Sequence, residues 1–179
     1  MMELSPVYSA APAERRADVE QRVYDLLAQL NIPYTRVDHD TAHTMADCEI
    51  IGEKLGVDMC KNLLLTTRNH SVYFLLCMPG DKPFVTREFS KLMECSRLSF
   101  ASEADLLELL GVTPGSASVL ALMNDPIHRV QLVLDRSVAQ APWFGCHPCL
   151  NTSSLRLRTE DILHIFLPHT GHEPVLVDL

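Results

Sequence analysis

The chain has 179 residues, 47% of them hydrophobic, which fits a single domain with a substantial core. Its 15 Lys and Arg against 23 Asp and Glu give a net charge of −8, so a nucleic-acid partner would have to meet a local basic patch. No uncharged apolar run of about 18 residues predicts a membrane span, and no basic start with an apolar core predicts a signal peptide, so we expect a cytoplasmic protein without membrane contact.

The first part of the chain predicts two helices, a strand and a β-hairpin. Hydrophobic spacing gives these elements: a helix over 13–30, a strand over 34–39, a helix over 44–56, and hairpin strands over 59–66 and 71–78. Thr44 is the expected N-cap of the second helix and Gly56 its C-terminal stop. Residues 1–13, rich in Ala, Ser and Pro, are expected to be a loosely ordered lead-in, so the domain is predicted to cover 14–179.

The first hairpin strand, "MCKNLLLT" over 59–66, carries a lysine in an apolar run. A buried ammonium is costly unless it is paired or neutralised. Lys61 is therefore expected either to reach water at the beginning of the strand or to take part in chemistry. Because side chains alternate along a strand, Lys61 and Asn62 cannot both point into one pocket unless the strand is bulged or begins after them.

The second part of the chain is richer in strands. Its predicted elements are a helix over 86–95, a strand over 97–101, a helix from Ser102 to Gly111, strands over 118–125, 129–138 and 153–159, a short helix over 160–166 and a last strand over 174–179. There is no regular βαβ alternation. The predicted fold class is therefore α+β, a single domain with a mixed, mostly antiparallel sheet surrounded by helices.

One segment could supply the local basic patch. Between residues 82 and 97 the cations outnumber Glu88 and Glu94, and they are Lys82, Arg87, Lys91 and Arg97. Two interpretations stay open, a nucleic-acid contact and an ordinary solvated helix face.

The segment "GVTPGSAS" (111–118) follows directly after a predicted helix. Gly111 can end that helix, and Pro114 with Gly115 fits a type II turn, which is a sufficient structural account. A glycine turn followed by Ser116 also exposes backbone N–H groups that could hold a carbonyl oxygen or a phosphate.

The segment "GCHPCLNTSS" (145–154) contains a C-x-x-C pair, Cys146 and Cys149. A redox site would need a strand-to-helix context and a structural zinc would need two further ligands at recognisable spacing, so neither is favoured and no metal is predicted. His147, Asn151 and Thr152 crowd polar groups into the same loop, which fits either a site or a turn with satisfied hydrogen bonds. In "HDTAHT" (39–44), His39 or His43 could carry a proton, whereas Thr44 is more economically a cap.

Taken in order, these segments resemble the YbaK-like aminoacyl-tRNA deacylases, which include the editing domain of bacterial prolyl-tRNA synthetases and its free-standing relatives. The matching segments are His39 and Thr44 in their loop, "KNLLL" at 61–65, "LSFAS" at 98–102, "LGVTPGSAS" at 110–118, "ND" at 124–125, and "HPCLNTSSLRL" at 147–157. The resemblance covers roughly residues 17–179. It departs from the family's pattern in "TMADCE" after the threonine and in the cysteines on either side of His147.

The resemblance implies a barrel-like editing-domain fold and the hydrolysis of a mischarged tRNA, with alanine on proline tRNA as the expected substrate. Cysteinyl-tRNA(Pro) and a non-catalytic tRNA-binding or synthetase-binding adaptor remain alternatives. The implied catalytic residues are Lys61, Gly115, Ser116 and His147. The implied substrate-binding residues are Thr44, Asn62, Gly111, Pro114, Asn151 and Thr152. The implied partners are the aminoacylated 3′ end of tRNA and a prolyl-tRNA synthetase, and no cofactor is implied.

Overall fold

Two β-sheets with helices packed around them form the frame of the computed structural model, which describes residues 2–179. The strands are β1 (Tyr34–Asp38), β2 (Cys60–Thr67), β3 (Tyr73–Pro79), β4 (Leu98–Phe100), β5 (Val130–Asp135), β6 (Trp143–Cys146), β7 (Ser153–Arg158) and β8 (Val175–Val177). The helices are α1 (Asp18–Gln29), α2 (Met45–Leu55), α3 (Thr86–Leu92), α4 (Glu103–Leu110), a 3-10 helix (Val119–Asn124), α5 (Arg136–Gln140), and α6 (Thr159–Asp161), which continues through a π-helical segment (Ile162–Phe166) into α7 (Leu167–Thr170).

The smaller sheet has the strand order β1-β7-β6 and is antiparallel throughout. The larger sheet has the order β4-β2-β3-β5-β8, in which the pairs β3–β5 and β5–β8 are parallel and the others antiparallel. The predicted α+β class with a mixed, mostly antiparallel arrangement is confirmed. The two sheets meet at one parallel bridge, Met59–Gly145, and do not close into a barrel.

The main core fills the space between the two sheets and α1. It includes Val23 and Leu27 of α1, Leu75 of β3, Leu132 of β5 and Leu155 of β7, all fully buried. Two smaller apolar clusters lie on the outer faces. One packs beneath α3 and the other, which contains Met59, packs beneath α2.

The two ends of helix α2 follow from local chemistry. The Thr44 hydroxyl accepts a hydrogen bond from the N–H of Asp47 (3.1 Å), and the Asp47 carboxylate accepts from the N–H of Thr44 (2.9 Å), which forms a capping box. Helix α2 ends at Gly56, whose φ of 69° lies in the left-handed region that glycine tolerates. Both expectations for this helix are confirmed.

Three expectations for the second part of the chain are wrong. Residues 119–124 form a 3-10 helix rather than a strand, because the Ser118 side chain caps them and a continuous buried apolar run carries no periodicity to separate the two structures. Strand β5 stops at Asp135, whose carboxylate accepts a hydrogen bond from the Ser137 N–H and begins α5. Strand β6 was not expected, since it is four residues long and contains Gly145.

The lead-in before α1 lies along β1. Leu4 bridges His39, Tyr8 bridges Arg36, and the Ser5 N–H donates to the Asp38 carbonyl (2.9 Å). The domain boundary at residue 14 remains a prediction. No helix within residues 2–179 combines the length and the apolar character that crossing a membrane requires.

Candidate functional site

The seam between the two sheets brings together residues that are far apart in the sequence. Met59 and Gly145 form a parallel bridge there, and a Cβ added at Gly145 would lie only 2.9 Å from the Asp58 carbonyl oxygen. Lys61 and His147 each follow this bridge by two residues, a distance of about 7 Å along an extended chain. Because residues two apart share a face, Lys61 lies on the same side of its chain segment as Met59, and His147 on the same side as Gly145.

Lys61 is the second residue of β2, at the beginning of the strand. It is half-buried, and its ammonium donates a hydrogen bond to the Lys82 carbonyl oxygen (2.8 Å). The neighbouring Lys82 ammonium is paired with Asp135 (2.8 Å), whereas Lys61 has no carboxylate partner among residues 2–179. The Lys61 ammonium therefore keeps two N–H groups for a ligand and carries a charge that no side chain of the fold neutralises.

His147 is buried at the beginning of the loop that joins β6 to β7. Its Nδ1 lies 3.0 Å from the Ser153 carbonyl oxygen, which can only accept, so Nδ1 carries the hydrogen and Nε2 is the free acceptor in the neutral ring. Burial lowers the pKa of His147 to about 4, so the ring is neutral at physiological pH. Its Nε2 makes no hydrogen bond to residues 2–179.

A second histidine lies beside the first through a shared hydroxyl. The Ser154 Oγ is 3.1 Å from His147 Nδ1 and 2.9 Å from His39 Nε2, and the two rings are 5.9 Å apart. His39 Nδ1 in turn lies 2.7 Å from the Asp40 carbonyl oxygen. One assignment is consistent with these contacts: the Nδ1–H of His147 is shared between the Ser153 carbonyl and the Ser154 hydroxyl oxygen, Ser154 donates to Nε2 of His39, and Nδ1 of His39 donates to the Asp40 carbonyl. This chain fixes the orientation of the His147 ring.

The loop between β1 and α2 is tied to the loop between β6 and β7 by Asn151. The Asn151 side chain donates to the Ala42 carbonyl oxygen (2.7 Å) and accepts from the Ala42 N–H (3.3 Å), and the Thr152 carbonyl accepts from the His39 N–H (3.0 Å). Thr44 uses its hydroxyl in the cap of α2. Asn151 thus holds the two loops in register, and substrate contacts of Asn151, Thr152 and Thr44 stay predictions.

The "GVTPGSAS" segment forms the expected turn next to these loops. Gly115 has a φ of 82° and the Ser116 N–H donates to the Thr113 carbonyl (3.0 Å), as in a type II turn. The Ser116 hydroxyl accepts from the Asn151 N–H (3.2 Å), which joins this turn to the loop after His147. The N–H of Ser116 is therefore occupied, whereas the N–H of Gly115 has no acceptor within residues 2–179.

The structure does not bring every predicted site residue to this place. Asn62 points into the main core, where its side-chain oxygen lies 3.0 Å from the Cys77 sulfur, so β2 alternates regularly and Asn62 faces away from Lys61. Gly111 ends α4 with a φ of 64° and approaches the Asn124 amide. Pro114 is exposed at the tip of its turn. No hydrogen bond joins Lys61 to His147 or to the turn at Gly115.

The cysteines next to His147 belong to the core. All six cysteines are free thiols, and Cys146 and Cys149 are buried in the main apolar cluster. Burial raises the pKa of both thiols, that of Cys149 to about 12, so neither is a thiolate at neutral pH. Within residues 2–179, no three His, Cys, Asp or Glu side chains are grouped so that they could hold a metal ion.

A polar network that sequence reasoning missed lies at the end of the loop between β6 and β7. The Ser153 hydroxyl donates to Asp38, which is ion-paired with Arg36 and with Arg16 (2.7 Å). Burial alone would raise the pKa of Asp38, but hydrogen bonds from Arg36 and Ser153 outweigh it and hold the pKa below its usual value. Two consecutive serines at the start of strand β7 were the available signal, since a strand directs them to opposite faces.

The arrangement suits chemistry at an activated ester. It offers an unpaired ammonium on β2, a neutral imidazole with a free acceptor nitrogen after β6, and an unoccupied backbone N–H in the turn that Ser116 joins to the loop after His147. An ammonium and an N–H can stabilise a developing oxyanion, and the imidazole can hold a water molecule.

Comparisons with known proteins agree with this picture. The sequence model described as "Aminoacyl-tRNA editing domain" matches residues 39–165. The chain is 32% identical over 171 residues to "Prolyl-tRNA synthetase associated domain-containing protein 1" of Danio rerio, covering 94% of this chain and 90% of that protein. It is 28% identical over 145 residues to "Prolyl-tRNA editing protein ProX" of Acetoanaerobium sticklandii, covering 81% and 88%. A crystal structure of a candidate trans-editing enzyme for prolyl tRNA synthetase has the same fold, with a TM-score of 0.63 and 15% identity over 92% of this chain and 98% of that one.

Proposed function

The chain belongs to the family of aminoacyl-tRNA editing domains, and from that premise we propose that it is a hydrolase that removes alanine from wrongly charged proline tRNA. The observation that carries the proposal is the contact between the two sheets at the Met59–Gly145 bridge. Lys61 lies two residues after Met59, and His147 lies two residues after Gly145.

The proposed mechanism assigns one role to each group. A water molecule held by Nε2 of His147 attacks the carbonyl carbon of the aminoacyl ester. The Lys61 ammonium and the Gly115 N–H stabilise the negative charge that develops on the carbonyl oxygen. The bond from carbon to the ribose oxygen then breaks, and that oxygen gains the proton which the water loses. With a pKa of about 4, His147 is a weak base, so it orients the water rather than carrying the proton away.

No enzyme nucleophile is needed, because an aminoacyl ester is already activated and positioning supplies most of the required acceleration. The proposal therefore does not depend on the protonated thiols of Cys146 and Cys149.

The choice of alanine over proline would depend on the size of the pocket. A synthetase pocket shaped for proline rejects a smaller amino acid weakly, because each missing methylene changes binding by only about 1–3 kcal/mol. A second, smaller hydrolytic pocket can exclude the proline ring sterically. The partners in this proposal are the aminoacylated 3′ end of tRNA in the cytoplasm and the prolyl-tRNA synthetase that produces the error.

The test is hydrolysis of alanyl-, cysteinyl- and prolyl-tRNA(Pro) by the wild type and by Lys61→Met, His147→Asn and the double variant Cys146→Ser/Cys149→Ser. We expect hydrolysis of the alanyl ester to fall by at least about 100-fold in Lys61→Met, the magnitude typical of a lost oxyanion contact. The double cysteine variant should keep its activity.

The outcomes separate the alternatives. Faster turnover of the cysteinyl ester would replace alanine as the proposed amino acid. Binding of tRNA without turnover of any ester would favour an adaptor and refute the hydrolase. Full activity of Lys61→Met would remove Lys61 from the mechanism.

A further inference from the structure

A groove with a volume of about 610 Å³ lies between α3 and the edge strand β4, away from the seam. Three cations line it, Arg87 and Lys91 from α3 and Arg97 from the segment before β4, together with the ring of Phe100. Arg87 and Lys91 are four residues apart, so they lie on one face of their helix. All four side chains are exposed.

The three cations have no partners within the fold. Neither an ion pair nor a side-chain hydrogen bond joins Arg87, Lys91 or Arg97 to residues 2–179, although the chain as a whole carries a net charge of −8. The two acidic residues of this segment, Glu88 and Glu94, do not line the groove. An acidic protein thus concentrates unpaired positive charge at one place, which favours a polyanionic ligand.

The aromatic ring beside these charges is exposed and also supported. Phe100 is 60% exposed, and its ring packs at a steep angle against Phe84, with centroids 6.0 Å apart. Phe84 packs against the buried ring of Phe89 at 5.8 Å. A ring that packs against another ring on one side and is exposed to solvent on the other can stack on a nucleic-acid base.

The groove shares a sheet face with Lys61. Phe100 pairs with Leu65 across the β2–β4 ladder, and Lys61 and Leu65 lie on the same side of β2. Four residues of strand separate these two positions, a distance of about 13 Å. A single-stranded 3′ end of about four nucleotides, at roughly 3.4 Å each, is long enough to span this distance across the protein surface.

We propose that this groove binds the acceptor end of an RNA substrate, with phosphates on Arg87, Lys91 and Arg97 and a base stacked on Phe100, while the 3′ terminus reaches Lys61. The identification of the RNA as tRNA rests on the proposed function. The binding itself does not, because it follows from the unpaired cations and the supported ring. An acidic peptide could meet the cations but would make no use of an exposed stacking surface.

The experiment measures binding of uncharged proline tRNA, with no reaction, as a function of salt concentration. The test variants are the triple Arg87→Gln/Lys91→Gln/Arg97→Gln and the single Phe100→Ala. The matched control is Arg22→Gln/Arg68→Gln/Arg158→Gln, three exposed arginines outside the groove, which changes the net charge by the same amount. Circular dichroism of each variant shows that it is folded.

We expect the groove triple variant to bind on the order of 10-fold to 100-fold more weakly at 50 mM salt, and the slope of log Kd against log salt to fall by about 2–3. Phe100→Ala should bind about 5-fold or more weakly with an unchanged slope. Equal affinity and slope for wild type and groove triple would overturn the proposal, as would an equal loss in the control. Preferential loss of polyglutamate binding, with tRNA binding intact, would assign the groove to an acidic peptide and also overturn it.

These results are independent of turnover. If the wild type hydrolyses no aminoacyl ester but the groove triple alone loses RNA binding, the groove proposal stands and the proposed function fails. If hydrolysis is confirmed and the groove triple variant binds tRNA normally, the proposed function stands and the groove proposal fails.

Discussion

Lowering the pH from 7 to 5 should remove about 2 kcal/mol from the free energy of unfolding through His147 alone. Burial lowers the pKa of this ring from 6.5 to about 4, so the unfolded chain binds more protons than the folded chain between these two values. The contribution is complete above pH 6.5 and is lost as the pH falls towards 4. Weighting both states by their protonation gives about 0.2 kcal/mol of loss at pH 7 and about 2 kcal/mol at pH 5.

Urea unfolding of the wild type and His147→Asn at pH 7, 6 and 5 measures this quantity. The asparagine amide can still donate to the Ser153 carbonyl but does not titrate, so the stability advantage of the wild type should shrink by about 2 kcal/mol over this range. The comparison cancels the carboxylates that both proteins share. His164→Asn, at an exposed position, serves as the control for loss of a histidine. An advantage that is the same at pH 7 and pH 5 would refute the assignment of His147 as a buried neutral ring.

Three further predictions concern the seam and the loop beyond it. Gly145→Ala should lower the free energy of unfolding by about 1–3 kcal/mol, because its Cβ would lie 2.9 Å from the carbonyl oxygen of Asp58, just before β2. An unchanged urea midpoint would show that the two sheets can separate at this contact without cost. Ser154→Ala removes one of the two contacts that hold Nδ1 of the His147 ring, so it should slow single-turnover hydrolysis of alanyl-tRNA(Pro) about 10-fold. Ser154→Thr should restore part of the rate, and equal rates for both variants would count against an orienting hydroxyl. Because burial raises the pKa of the Cys146 and Cys149 thiols, both should react with a thiol reagent at pH 7.5 only as the chain unfolds, and fast modification of the folded protein would contradict this.

The features that the sequence predicted well are those with local causes. Thr44 and Asp47 form a capping box within one turn of helix, and Gly56 and Gly111 take the left-handed conformation for which glycine is suited. The type II turn at Gly115 has an equally local origin. The family membership that the ordered motifs indicated is also confirmed.

The features that escaped prediction depend on distant partners. The Met59–Gly145 bridge has no sequence signature, because it is decided by how two sheets pack, and the short strand β6 depends on its ladder with β7. The hydroxyl of Ser154 meets His39 across 115 residues of chain. Sequence spacing therefore indicated which segments carry the site, and strand alternation separated Lys61 from Asn62, but only the structure shows that Asn62 is the one that turns inward.

The pairing of β1 with β7 has a consequence for how the molecule is made. Tyr34 is hydrogen-bonded in a ladder with Leu157, so a strand that leaves the ribosome early must wait for more than a hundred further residues before it finds its partner. His39 directly follows β1, and His147 lies in the loop before β7, so these two residues are also separated by more than a hundred residues of chain. A nascent or truncated chain that lacks β7 holds the lysine but neither the seam nor the oriented imidazole, and long-range pairing of this kind forms slowly. Any activity of this protein should accordingly report on completed synthesis and folding of the whole domain.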